Sequence, residues 1–223
     1  MRGVRIATWN CAGHLPRKWT ALDALEADLM IVQECGADSP QTARERGWEA
    51  LWTGASSKGL GLFARPGWGL EELPHDGQWW LPARVSGPAE FTLVGFWAMP
   101  PALAHLTYTR QATVTAEALG SIAGPVVFGG DFNSWEAPAH LRLMETMTKQ
   151  GRPSAYHRAR GCGRNQEPEP TYFHLWKQER PHHIDLLFTP ADWGLERVEV
   201  GSFTAYPEAR ISDHVPVLAE LVV

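Results

Sequence analysis

The sequence is poor in cysteine: its 223 residues include only Cys11, Cys35 and Cys162. Thiols odd in number and widely spaced indicate neither a disulfide framework nor a zinc knuckle. They fit a reducing compartment, and the cytoplasm is the expected location. Basic charge is not in excess either. Lys and Arg number 20 against 25 Asp and Glu, a formal net charge of -5. Overall basicity therefore cannot hold a nucleic acid, although a local basic patch could. No apolar run approaches the length that spans a membrane. Residues 1–6 run directly into a strand pattern and lack the apolar core of an export signal. Repeats, low-complexity tracts and linkers are lacking too. Residues 1–223 therefore read as one domain, expected to be monomeric.

What is present describes a globular protein. Hydrophobic residues make up 44% and charged residues 20%, enough to bury a core without staples. The 11 tryptophans are expected mostly in that core. A few are left to line a pocket, where an indole can stack on a base or sugar.

Residues 4–9 alternate as a strand and end in the turn-like Asn10-Cys11-Ala12-Gly13. Residues 18–27 carry Trp19, Leu22 and Leu25 at helical spacing. Residues 28–34 form a buried strand pattern with Glu34 at its carboxyl end, completing a βαβ-like opening. Strand patterns follow at 48–52, 59–64, 79–85 and 91–97. Residues 107–122 read as a helix, stopped by Gly124-Pro125. The strand Val126-Val127-Phe128 ends in two glycines and delivers Asp131 and Asn133 at its exit. A helix over 137–149 places Leu141, Met144 and Met147 on one face, as core packing. Residues 170–176, 183–188 and 198–203 read as short strands, and a last strand follows the loop bearing Asp213-His214. The strands fall into two groups, residues 1–98 and 125–223. Two packed sheets with helices outside would bury both.

Asn10, Glu34, Asp131, Asn133, Asp185, Asp213 and His214 all sit at strand ends or in adjoining loops. In α/β sheets, ligands bind beyond such ends. An Asx-turn or helix cap would explain Asp131 and Asn133 alone. It does not explain four carboxylates, two amides and an imidazole together. An oxygen-rich set with one histidine suits a hard divalent cation, magnesium or manganese, better than zinc. Such a cation neutralises a phosphate. A histidine held by a carboxylate moves a proton or stabilises charge.

Thr8-Trp9-Asn10, Ile31-Val32-Gln33-Glu34, Gly129-Gly130-Asp131-Phe132-Asn133, Ile184-Asp185 and Ser212-Asp213-His214-Val215-Pro216 together resemble the endonuclease/exonuclease/phosphatase superfamily. Gly59-Leu60-Gly61-Leu62-Phe63 and Thr171-Tyr172-Phe173 are fainter echoes. The resemblance implies a four-layer α/β sandwich, two packed and mostly antiparallel β-sheets flanked by helices. It implies magnesium-dependent phosphoester hydrolysis. It makes Glu34 the main metal ligand with Asn10 beside it, and Asp213 near the metal through water. Asp131 would orient or deprotonate the attacking water, and Asn133 would hold a phosphate oxygen. His214 would contact the phosphate or handle a proton, oriented by Asp185. Two positions depart from the pattern. Ala12 stands where many nucleases carry an acid. The strand end Phe96-Trp97-Ala98-Met99 lacks the usual histidine or tyrosine, which leaves His105 or Tyr108 to fill in.

A nuclease is the first expectation. It is supported by a cation-bearing, aromatic-interleaved stretch from Arg152 to Arg180 that includes Arg158, Arg160, Arg164 and Lys177. Net acidity and the shortness of the chain lean toward a small or lipid phosphoester instead. A non-catalytic binding protein on the same scaffold is the remote alternative. In the pair His182-His183, strand neighbours face opposite ways. One is expected at the surface and the other as a site flank. His14 is expected in solvent.

Overall fold

A computed structural model describes residues 3–55, 57–75, 79–134 and 137–223. Its strands are β1 (Gly3–Asn10), β2 (Leu29–Cys35), β3 (Glu49–Ala55), β4 (Lys58–Ala64), β5 (Gly69–Glu72), β6 (Trp80–Ser86), β7 (Phe91–Trp97), β8 (Val126–Asp131), β9 (Tyr172–Phe173), β10 (Pro181–His182), β11 (Asp185–Phe188), β12 (Gly194–Val200) and β13 (Val217–Val222). The α-helices are α1 (Trp19–Asp23), α2 (Ser39–Arg44), α3 (Pro101–Ala104), α4 (Tyr108–Leu119), α5 (Ala137–Lys149) and α6 (Ala155–Arg160). No helix among the described residues is long and apolar enough to cross a membrane.

Of the two large sheets, one has the order β12-β13-β1-β2-β4-β3 and the other β11-β8-β7-β6-β5, while β9 and β10 form a separate antiparallel pair. Each large sheet mixes strands from both halves of the chain. Pairing is antiparallel except for one parallel pair per sheet, β1 with β2 and β7 with β8. The sheets pack face to face, with helices outside, as the four-layer expectation requires.

Side-chain alternation decides which residues face inward. Ile6, Ile31, Val127 and Leu187 belong to the core between the sheets. Ala7, Trp9, Met30 and Val32 pack outward around Trp19 and Leu22. Phe96, Phe128, Phe132 and Phe188 pack outward with Leu119, Leu143 and Met147. By the same parity Thr8, Asn10, Gly129, Asp131 and Asp185 face inward. Gly95 and Gly129 pair in register and bring the sheets close there. A Cβ at Gly95 would lie 3.0 Å from Leu62 Cδ2 and one at Gly129 3.2 Å from Ile31 Cδ1, both in the opposite sheet.

Several boundaries differ from expectation. The helix expected over 18–27 is only α1, preceded by a 3-10 turn at Leu15–Lys18. On α5 the inward face is His140, Leu143 and Met147, whereas Leu141 is 45% exposed. The strand expected at 198–203 starts earlier, as β12, and Phe203 leads into a π-helical turn. Among the described residues seven tryptophans, Trp9, Trp19, Trp48, Trp68, Trp80, Trp97 and Trp193, are buried.

Candidate active site

Asp131 stands at the centre. It is fully buried at the end of β8. Its Oδ1 accepts from the Asn133 backbone N–H at 2.8 Å, an Asx-turn. Residues 135–136, where a following helix cap would act, lie outside the described residues. Its Oδ2 accepts from Asn10 Nδ2 at 2.9 Å and from Asn133 Nδ2 at 3.1 Å. His214 Nε2 lies 3.9 Å from the same oxygen. Burial raises the Asp131 pKa and the nearby Asp185 adds to it. The His214 charge and the Asn10 and Asn133 bonds oppose this, and the balance is about 7.

His214 is also buried, and its Nδ1 lies 2.9 Å from Asp185 Oδ2. Burial disfavours its charge, but Asp185 and Asp131 outweigh burial and push the imidazole up to about 10. The ring therefore favours the imidazolium form at neutral pH. The geometry of this loop is fixed on several sides. Ser212 Oγ donates to Asn10 O at 2.7 Å and accepts from His214 N at 3.1 Å. Phe173 N donates to Asp213 O and Val215 N to Thr171 O, both at 2.8 Å. Thr171 Oγ1 accepts from the N–H groups of Ile184 and Asp185, each at 3.0 Å. The Tyr172 ring lies 4.5 Å from the His214 ring.

Glu34 reaches the site by a backbone irregularity. Alternation along β2 would send it outward with Met30 and Val32. The register with β4 shifts between Gln33 and Cys35, and Cys35 takes the outward place. Glu34 sits in this bulge at φ 59, a left-handed conformation costing on the order of 1 kcal/mol. Its Oε1 accepts from Asn10 Nδ2 at 3.4 Å, and Lys58 pairs with its Oε2. Asn10 thus turns its amide nitrogen to both carboxylates, because its Oδ1 accepts from Ala12 N at 3.0 Å.

Asp131, Asp185 and His214 have ligand-capable atoms all within 4.8 Å of one another, a possible metal site. The expected ligands Asn10 and Glu34 border this group through the Asn10 amide. Asp213 is half-buried, and burial raises its pKa against the pull of His214. Asp185 Oδ1 is buried with no hydrogen-bond partner. An unmatched carboxylate oxygen in an oxygen-dominated set fits a hard divalent cation.

The expected basic surface is not built as expected. Arg152 is buried and donates to Leu119 O and Gln150 Oε1. Arg158 donates to the carbonyls of Pro190 and Trp193. Arg160 clamps Glu169 and Val198 O. Arg164 pairs with Glu167 at 2.9 Å, with side chains only 3% and 5% exposed, and its other donors reach His183 O and Ser134 O. These arginines serve the fold, because they reach from the 152–164 segment to carbonyls of the elements packed against it, those of Leu119, Ser134, His183, Pro190, Trp193 and Val198. Lys177 and Arg180 are exposed, and Arg210 lies over the Trp176 ring.

His183 is buried, with Nδ1 2.7 Å from Glu169 O, and is held down to about 4 by burial. It is a packing group beside Tyr156, 4.3 Å away. His182 stacks on Tyr172, and His14 is exposed as expected. His105 is exposed at the end of α3. Tyr108 is half-buried, and Asp131 is near enough to raise its pKa after burial. Sequence reasoning missed Tyr172 and Lys58 as site residues. The Thr171-Tyr172-Phe173 echo was a signal for the first, and nothing in the sequence marked the second.

The fold has well-matched relatives among solved structures. The 3' phosphatase NExo from Neisseria, bound to a product DNA hairpin, matches with a TM-score of 0.72 and 18% identity, over 99% of this chain and 100% of that one. TDP2 of D. rerio, complexed with a single-strand DNA product, gives 0.75 and 14%, over 100% of both chains. An AP endonuclease from Archaeoglobus fulgidus gives 0.72 and 15%, over 97% and 98%. Among curated proteins none matches the sequence. The family model for the endonuclease/exonuclease/phosphatase family matches residues 7–214, and the chain belongs to that family.

Proposed function

We propose that this phosphoesterase-family protein is a divalent-metal-dependent phosphodiesterase acting on nucleic acid by attack of water on phosphorus. The observation that carries the reading is the Asp131–His214–Asp185 group joined through Asn10 to Glu34. Glu34, with Asn10 beside it and Asp213 nearby, would hold magnesium or manganese. The ion would supply charge neutralisation at the phosphate. Asp131, with a pKa near neutrality, takes the proton of the attacking water. His214, charged and held by Asp185, faces the phosphate and supplies positive charge or a proton as the leaving oxygen departs. Asn133 holds a phosphate oxygen by giving up one of its Nδ2 contacts to Asp131 or Ala98 O. The DNA-bound state of NExo and TDP2 supports a nucleic-acid substrate.

A second reading is hydrolysis of a small or lipid phosphoester at the same site. Arg152, Arg158, Arg160 and Arg164 favour it, since each is already engaged by carbonyl or side-chain oxygens of the protein, which leaves fewer free cations for a long polyanion. A panel of nicked duplex, abasic duplex, single strand, RNA and inositol phosphates separates the two. Turnover of a nucleic acid supports the first reading. Turnover confined to inositol phosphates overturns it.

A further inference from the structure

Both oxygens of Glu34 are occupied by nitrogen donors, Asn10 Nδ2 on one and the Lys58 ammonium on the other. The Glu34 side chain is 23% exposed and that of Lys58 is 50% exposed. Lys58 begins β4, directly across from Ala55 in the β3–β4 hairpin, so its long side chain can swing without disturbing a core. The other ammonium at this end, Lys18, is anchored by the carbonyls of Cys11 and Ala12. Beside Lys58 opens a pocket of about 350 Å³, lined also by Gly13, His14, Gly36 and Asp38. Lys58 gives it a cationic donor, His14 an imidazole, and Asp38 a carboxylate.

A divalent cation on Glu34 cannot share that carboxylate comfortably with an ammonium, since like charges a few ångströms apart repel. We propose that Lys58 is an exchangeable counter-cation. It neutralises Glu34 when no divalent cation is bound. When the cation takes Glu34, Lys58 turns to a phosphate oxygen of the substrate at the mouth of this pocket. The proposal rests on the metal role given to Glu34 above. It makes Lys58 a substrate-recognising residue and couples metal loading to phosphate binding.

The test is calorimetric titration of Mn2+ into the parent protein and the Lys58→Gln, Lys58→Arg and Glu34→Gln variants. Inorganic phosphate is then titrated into the parent and the two Lys58 variants, each loaded with Ca2+. Removing the competing charge should tighten Mn2+ binding roughly tenfold in Lys58→Gln, while phosphate binding weakens by at least about fivefold. Lys58→Arg should keep both affinities within about threefold of the parent, since the charge is retained. Mn2+ affinity that is unchanged or weaker in Lys58→Gln overturns the exchange, as does phosphate affinity that is unchanged. If Glu34→Gln loses Mn2+ binding while Lys58→Gln is silent, only the exchange fails. If Glu34→Gln binds Mn2+ like the parent, the metal assignment and the exchange fall together.

Discussion

Asn10 and Asp131 occupy matching places at the ends of β1 and β8, and a 2.9 Å hydrogen bond joins them across the sandwich. Each strand belongs to the parallel pair of its sheet. Each side chain accepts from the backbone N–H two residues on, and Ala12 and Asn133 at those positions have φ of 50 and 47. The candidate active site is therefore the seam between two similar strand ends. One end supplies an amide and the other a carboxylate.

That pairing predicts an asymmetric response to mutation. Asp131→Asn puts an amide N–H2 against those of Asn10 and Asn133. It should lower turnover by at least about a hundredfold and destabilise by about 1–3 kcal/mol. The added swap Asn10→Asp restores one donor–acceptor pair across the seam. It should recover part of the melting temperature and none of the rate. Thermal melts and steady-state kinetics on both variants check this. A rate that recovers with the swap contradicts the role given to Asp131.

His214→Ala should cost at least about a hundredfold in turnover, and Asp185→Asn less. The pH profile gives the sharper comparison. Asp185 and Asp131 raise the His214 pKa above its ordinary value. Removing the Asp185 charge lowers it, so the alkaline limb of kcat should move to lower pH in Asp185→Asn. An unmoved limb means another group controls it.

The strand end at Trp97 lacks a proton donor; of the two substitutes, Tyr108 lies near enough to Asp131 to have its pKa raised by it, whereas His105 is exposed at the end of α3. Tyr108→Phe should steepen the dependence of rate on leaving-group pKa across a series of aryl and alkyl phosphodiesters. His105→Ala should leave it unchanged. A steeper slope in His105→Ala, or none in Tyr108→Phe, reverses this assignment.

Neutralising Arg164 should damage folding before it touches binding. Its partner Glu167 is buried. Burial opposes the Glu167 charge, but the His157 bond and the Arg164 charge hold its pKa down to about 2. Arg164→Gln leaves this carboxylate with His157 alone and should cost about 3–5 kcal/mol. The salt dependence of any nucleic-acid binding should be unchanged in Arg158→Gln, whose guanidinium serves backbone carbonyls. A flatter log–log salt slope in that variant shows that Arg158 meets phosphates.

The regular elements were legible in the sequence because alternation and glycine–proline punctuation report them directly. The 91–97 strand and the 137–149 helix fall where their patterns place them. The site was legible as a set of strand-end polar residues. Its wiring was not. Alternation along β2 points Glu34 to the wrong face, and only the bulge at Gln33/Cys35 corrects it. The cations from Arg152 to Arg164 read as a surface because local sequence cannot show which carbonyls of distant elements the fold brings against them. Lys58 was invisible for a related reason, since its meeting with Glu34 depends on the pairing of β2 with β4.

The account turns on a divalent cation at Glu34. The direct measurement is hydrolysis of bis(p-nitrophenyl) phosphate by chelator-stripped protein, followed by titration with Mg2+ or Mn2+, in the parent and in Glu34→Gln. The account predicts no turnover without metal, restoration on titration, and a rightward shift of the metal curve by roughly tenfold or more in the variant. Full turnover in metal-free buffer, or identical metal curves for the two proteins, would contradict it.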